Sequence, residues 1–236
     1  LEQRAFAKKL RRATGKHHLK GPAKRTAEDD KKFEESFRRL IRRVLDMNST
    51  ITDIMNRYSC RRYKDEALDE NVLKAIIEAG RVAPCGGNNQ TNKFYVVKSK
   101  NILNKLIATA EQEFASMELT EDLYKSLKTT IRLSKKGGYD FTYKAPVVIV
   151  ITNKKDYDNA MADAVCANMS MMIAATSLGV GSCYLNQLHW LDNSEAIRDV
   201  LGISANETIT CSLALGIPAQ VPAKHREITG NVVVEL

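Results

Sequence analysis

The stretch APVVIVITNKKDYDNAMADAVCANMSMMIAATSLGVG, residues 145–181, decides the fold. Its first part, Ala145–Thr152, is a nearly continuous apolar, β-branched run. A strand apolar at successive positions has both faces covered, so this one is expected at the centre of a sheet, with helices on either side. Asp158–Leu178 follows, with Met161, Val165, Met169, Met172 and Ile173 spread nearly all round. Such a helix is buried on every side, in a core or in a subunit interface. Gly179 and Gly181 end it.

Outward from this stretch the pattern is mostly helical. Residues 51–57 read as a short helix ending near Tyr58. Asp69 is placed to cap a helix carrying Val72, Leu73, Ile76 and Ile77 on one face, stopped before Pro84. Cys85–Asn92 is a Gly/Asn-rich loop and Phe94–Val97 a strand. Asn101–Ser116 and Glu121–Ser134 are helical, and Lys135–Gly138 breaks the pattern. Asn193–Leu201 is a short helix. Thr208–Leu215 turns Ile209, Cys211, Leu213 and Leu215 inward, as a half-buried strand would. Val232–Val234 is a candidate final strand. The sum is an α+β domain, a small sheet wrapped in helices.

Charge divides the chain. Residues 1–46 hold 15 Lys/Arg against 7 Asp/Glu, which accounts for the whole net charge of +8. Residues 47–236 hold 21 of each. The basicity therefore belongs to a tail, and the neutral body gives no electrostatic reason to expect nucleic acid as its partner. Phe33, Phe37, Leu40, Ile41, Val44 and Leu45 fall at helical spacing with arginines between them, a basic amphipathic helix at the end of the tail. The expected body is 47–236, beginning at Met47. The tail is either non-native or a tether to nucleic acid or membrane. No apolar run approaches the roughly 20 residues of a membrane helix, and the expected location is the cytoplasm. The five cysteines, Cys60, Cys85, Cys166, Cys183 and Cys211, form no metal-ligand spacing and read as reduced, mostly buried thiols; no metal is expected.

Several catalytic templates are absent. Gly179-Val180-Gly181 follows a helix and lacks the third glycine of a dinucleotide fingerprint. Three polar segments remain. RYSCRR, Arg57–Arg62, puts Arg57, Ser59 and Arg61 on one side at period 2, two forked donors and a hydroxyl suited to a phosphate dianion. Read alone, it is equally an exposed basic turn. APCGGNNQTNKF, Ala83–Phe94, offers glycines for close approach and amides that match a heterocycle edge, or else an ordinary loop. PAKHRE, Pro222–Glu227, alternates Lys224 and Arg226, either beside the same anion or in a solvated segment.

Taken in order, these segments resemble the FMN-dependent nitroreductase family from about Ile51 to Val234. RYSCRR resembles its R-x-S-x-R stretch. AGRVAPCGGNNQTNKFYVV resembles its A-P-S-x-x-N-x-Q-P-W-x-F loop, with Thr91-Asn92 in place of Pro-Trp. GGYDFTYKAPVVIVI, DAVCANMSMMIAATSLGVGSCYLN and SLALGIPAQVPAKHR resemble its later segments. The resemblance implies a three-layer α/β/α arrangement with a mainly antiparallel sheet, in an intertwined homodimer with FMN at the subunit interface. It implies that Arg57, Ser59, Arg61, Lys224 and Arg226 hold the FMN phosphate and that Asn88 bonds the ring. Asn186 and Gln187 would lie at the reactive edge, in place of a pair that often contains Glu or Gly. No side-chain acid or base is required, because the flavin carries the chemistry. The implied cycle is ping-pong, with NAD(P)H as reductant and a nitroaromatic or quinone as small-molecule acceptor. Residues 111–143 are the expected lid; Tyr139 and Phe141 there either stack on substrate or pack in the core. Reductive dehalogenation on the same fold, and a flavin-binding module tethered by the tail, are the competing readings.

Overall fold

The computed structural model describes residues 48–222 and 230–235. The tail, its amphipathic helix, the Met47 boundary, Lys224 and Arg226 lie outside the described residues. The elements are α1 (Ser49–Asn56), α2 (Glu70–Arg81), a 3-10 turn (Gly86–Asn88), β1 (Lys93–Val97), α3 (Lys100–Ser116) and α4 (Lys125–Lys136). They continue with β2 (Val147–Lys154), α5 (Ala160–Ser177), β3 (Gly181–Leu185), α6 (Gln187–Trp190), α7 (Glu195–Leu201) and β4 (Glu207–Gly216). The strands form one antiparallel sheet in the order β1-β2-β4-β3.

β2 is buried at every position but its last, as its composition demands. Its side chains alternate between two cores. Val148 and Val150 join Leu106, Phe114, Leu188 and Ile197 on one face. Val147, Ile149 and Ile151 join Leu73, Ile76, Ala164, Ala167 and Met171 on the other. Thus α2 and α5 cover one side, and α3, α6 and α7 the other, the expected three layers. The Asp69 cap forms: one carboxylate oxygen accepts from the Asn71 and Val72 amides at 2.8 and 3.1 Å.

Four expectations are corrected. β4 is buried on both faces, not one, because it is a central strand between β2 and β3. Ile209 does not share a face with Cys211. The register slips between Ile151↔Cys211 and Thr152↔Ile209, so the intervening Thr210 is bulged out of register and Ile209 turns to the opposite core. Gly181–Leu185, which the sequence reads as part of a glycine-rich turn, is a strand. It is short and lacks β-branched residues, and Gly181 is required there: a Cβ would come within 2.7 Å of the Cys60 sulfur. Val232–Val234 belongs to no strand and stands 74–86% exposed.

Candidate functional site

The Arg57–Arg62 segment is extended and pinned along the β3 edge. Ser59 bridges Ser182 in parallel, and the Cys60 amide donates to the Ser182 carbonyl at 2.8 Å. Further on, Tyr63 bridges Pro218, and the Ala219 amide donates to the Arg62 carbonyl at 3.0 Å. In extended backbone side chains alternate. Cys60 points inward, 2% exposed, against Gly181. Ser59 and Arg61 therefore point out, and the exposed guanidinium of Arg61 lies 5.8 Å from the Tyr143 ring centre. Burial pushes the Cys183 thiol up, while Arg61 and Arg57 pull it back, so both guanidiniums act on one sulfur. The structure brings Arg57, Ser59 and Arg61 together at the outer end of β3. Tyr143 and Lys144 are both left-handed, with φ of 58° and 61°. Asp140 holds that turn: its carboxylate accepts from the Thr142 amide and hydroxyl at 2.8 and 2.6 Å and from the Lys144 amide at 3.1 Å.

Asn186 and Gln187 follow β3 at its other end. Gln187 is 9% exposed; its amide nitrogen donates to the Tyr139 hydroxyl at 3.2 Å, and that hydroxyl also meets Thr130 Oγ1 at 3.0 Å. Gln187 Oε1 is buried with no hydrogen-bond partner among the described residues. Tyr139 is half-buried, and burial raises its phenol pKa. Phe141 is 1% exposed inside the core beside α3, so it packs there and does not reach a substrate.

The Cys85–Asn92 loop is the most constrained segment. Gly87, Asn88 and Gln90 take φ of 58°, 54° and 50°, and the Gln90 side-chain amide donates to Asn88 Oδ1 at 3.0 Å. A Cβ on Gly86 would fall 2.5 Å from Asn159 Nδ2 and 2.7 Å from the Tyr157 hydroxyl. Asp163, 4% exposed in the first turn of α5, accepts from the Gly86 amide at 2.8 Å and from the Tyr157 hydroxyl at 3.2 Å. The sequence analysis missed Asp163 and Tyr157. The signal available was a lone carboxylate inside a helix otherwise apolar at its buried positions. Beside the loop lies a cleft of about 280 Å³, lined by Glu78, Arg81, Val82, Ala83, Asn88 and Gln90.

These groups do not form one site within one chain. The loop enters β1, at one edge of the sheet, and Arg57–Arg61 lies on β3, at the other. Lys93 pairs through Thr152 to Ile209, near the start of β4, whereas Ser182 pairs with Leu215, near its end. With strands about 4.8 Å apart and a rise of about 3.3 Å per residue, the two corners are separated by roughly 25 Å.

A model of the nitroreductase family matches residues 54–217. A 4-nitrobenzoate reductase from Nocardioides is 33% identical over 213 residues, 76% of this chain and 85% of that protein. The crystal structure of an FMN-bound nitroreductase from Bacteroides fragilis is 29% identical and superimposes with a TM-score of 0.69, covering 80% of this chain and all of that one. A separate 43-residue stretch of similarity, 18% of the chain, is 63% identical to part of a UPF0178 protein from Clostridium acetobutylicum. The sandwiched antiparallel sheet, the pinned Arg-x-Ser-x-Arg segment and these matches agree: the chain belongs to the nitroreductase family.

Proposed function

We propose that the protein is an FMN-dependent oxidoreductase working as a homodimer, with the body 47–236 as the active unit and residues 1–46 as a separate basic segment. The observation that carries this reading is the outward set of Arg57, Ser59 and Arg61 on a backbone pinned to β3. Two permanent cations with forked N–H groups and one hydroxyl are the donor set of a phosphate monoester. Bound FMN supplies hydride acceptance from NAD(P)H and its return, in ping-pong order, to an electron-poor acceptor, a nitroaromatic or a quinone.

The residues present fit that group. Arg57, Ser59 and Arg61 hold the phosphate, joined by Lys224 and Arg226 from outside the described residues. The amides of Asn186 and Gln187 lie along the ring edge, where donors stabilise negative charge on a reduced ring. The orphaned Gln187 Oε1 is a buried acceptor at that end of β3, suited to a ring N–H. Tyr139 contributes its half-buried ring to the acceptor side.

A second copy of the chain completes the site. Asn88 is too distant from Arg57–Arg61 of its own chain for one flavin mononucleotide to meet both, so the ring of one subunit's flavin is bonded by Asn88 of the partner subunit. Two features support the pairing. Met161, Val165 and Met169, at four-residue spacing, form an apolar stripe on α5 that is 37–39% exposed. Val232–Val234 is a β-branched run with no cover, suited to wrap onto a neighbouring copy in an intertwined dimer.

The test is spectroscopic. Purified protein is expected to be yellow. Anaerobic NADH or NADPH is expected to bleach the flavin bands, and 4-nitrobenzoate or a quinone to restore them. Arg57→Ala and Arg226→Ala are each expected to lose flavin during purification. Full FMN occupancy in both variants at high salt would overturn the phosphate assignment. A colourless protein that takes up no added FMN would overturn the whole reading.

A further inference from the structure

We propose that Asp163 is a positioning residue for flavin binding: it acts through the Gly86 amide and the Tyr157 hydroxyl to hold the loop that presents Asn88 to the flavin. The proposal rests on the FMN reading above. It concerns a residue that touches neither flavin nor substrate in that reading.

Asp163 is almost fully buried, yet α5 places it beside Ala160, Ala164 and Ala167. A carboxylate in such surroundings is costly unless its oxygens are occupied. Both are: Oδ1 accepts from the Gly86 amide at 2.8 Å and Oδ2 from the Tyr157 hydroxyl at 3.2 Å. The same Tyr157 hydroxyl lies 3.3 Å from the Gly86 carbonyl oxygen and accepts from Asn89 Nδ2 at 3.3 Å. The backbone of Asp163 takes part as well, since its carbonyl accepts from Asn92 Nδ2 at 3.1 Å. Asn92 in turn accepts from Asn153 Nδ2 at 2.8 Å. The loop is thus tied to α5 and the segment before it at Gly86, Asn89 and Asn92, and Asn88 lies between the ties.

The ties are needed because the loop does not hold its shape alone. Asn88 and Gln90 adopt left-handed backbone without being glycine, which costs about 1 kcal/mol or more each and persists only where surroundings enforce it. Gly86 has no room for a Cβ against Asn159 and Tyr157. Freed from Asp163, the loop relaxes toward ordinary conformations and Asn88 leaves its place at the ring. Asp163 also lies between Met161 and Val165 in sequence, so the helix that carries the proposed dimer stripe is the helix that sets the loop.

The experiment compares Asp163→Leu, Asp163→Asn and Tyr157→Phe in the full-length chain, by FMN titration, the visible spectrum of bound flavin, dimer fraction, and melting temperature of the flavin-free protein. Asparagine still accepts from the Gly86 amide and can donate to Tyr157, whereas leucine strands both. Asp163→Leu is expected to weaken FMN binding about tenfold or more and to alter the flavin band shape. Asp163→Asn is expected to stay within about threefold of wild type, and Tyr157→Phe to fall between. Dimer fraction and flavin-free melting temperature are expected to hold. Equal FMN affinity in Asp163→Leu and wild type would overturn the proposal. So would Asp163→Asn failing as badly as the leucine variant, which would make charge the cause. If Asp163→Leu does not fold, wild-type affinity in Tyr157→Phe overturns it. A wild type that binds no FMN fails the flavin reading itself, and this proposal with it.

Discussion

Glu207 illustrates what a single side chain can be made to do. It is 4% exposed at the start of β4 and accepts hydrogen bonds from Lys93 Nζ at 2.7 Å, Tyr95 at 2.9 Å, Thr152 at 2.6 Å and Ser204 at 2.5 Å. Burial pushes its carboxyl up, but those four donors outweigh burial and hold it at about 2. The unfolded chain titrates near the ordinary Glu value of about 4.3. Between the two values the unfolded state binds more protons, so stability is fully present above the ordinary range and is lost as pH falls toward 2. Denaturant midpoints at pH 7 and pH 3 are expected to differ for the wild type. In Glu207→Gln the pH 7 midpoint drops and the gap narrows. An unchanged gap would show that the acid sensitivity comes from other carboxylates. None of this was legible in the sequence, because the four partners come from β1, β2 and the turn before β4. The Asp69 cap was legible, because its partners lie two and three residues away.

Among the elements, β2 and α5 were readable because their burial is written into composition. The bulge in β4 was not. An alternating run predicts its own facing only if the register holds, and the slip at Thr210 depends on β2. The short β3 was hidden for a related reason: Gly181 serves the Cys60 side chain that crosses it, not strand propensity. For α5, the long apolar circumference left core and interface both open. The inner positions now belong to the core, which leaves Met161, Val165 and Met169 as the interface candidates. Val165→Glu puts a charge in the middle of that stripe. Light scattering is expected to show a shift from dimer to monomer, with FMN occupancy falling alongside. A dimer that survives the change would move the interface elsewhere.

At the scale of the molecule, the fold class was legible from the alternation of a doubly buried strand with helices, and so were the residue types of the site. Their separation was not. Arg57, Ser59 and Asn88 stand within a short span of sequence, yet Asn88 precedes β1 and Ser59 lies along β3, and the sheet order sends those strands to opposite edges. Strand order is a long-range property that local patterns do not carry.

That diagonal placement has a genetic consequence. Two alleles, Arg57→Ala and Asn88→Ala, each spoil both sites when expressed alone. In a mixed dimer the defects segregate: one site collects both lesions, and the other joins an intact arginine set to an intact Asn88. Co-expression of the two alleles is therefore expected to restore flavin binding and turnover that neither gives by itself. Were all the groups drawn from one chain, the mixture would stay as inactive as its parts.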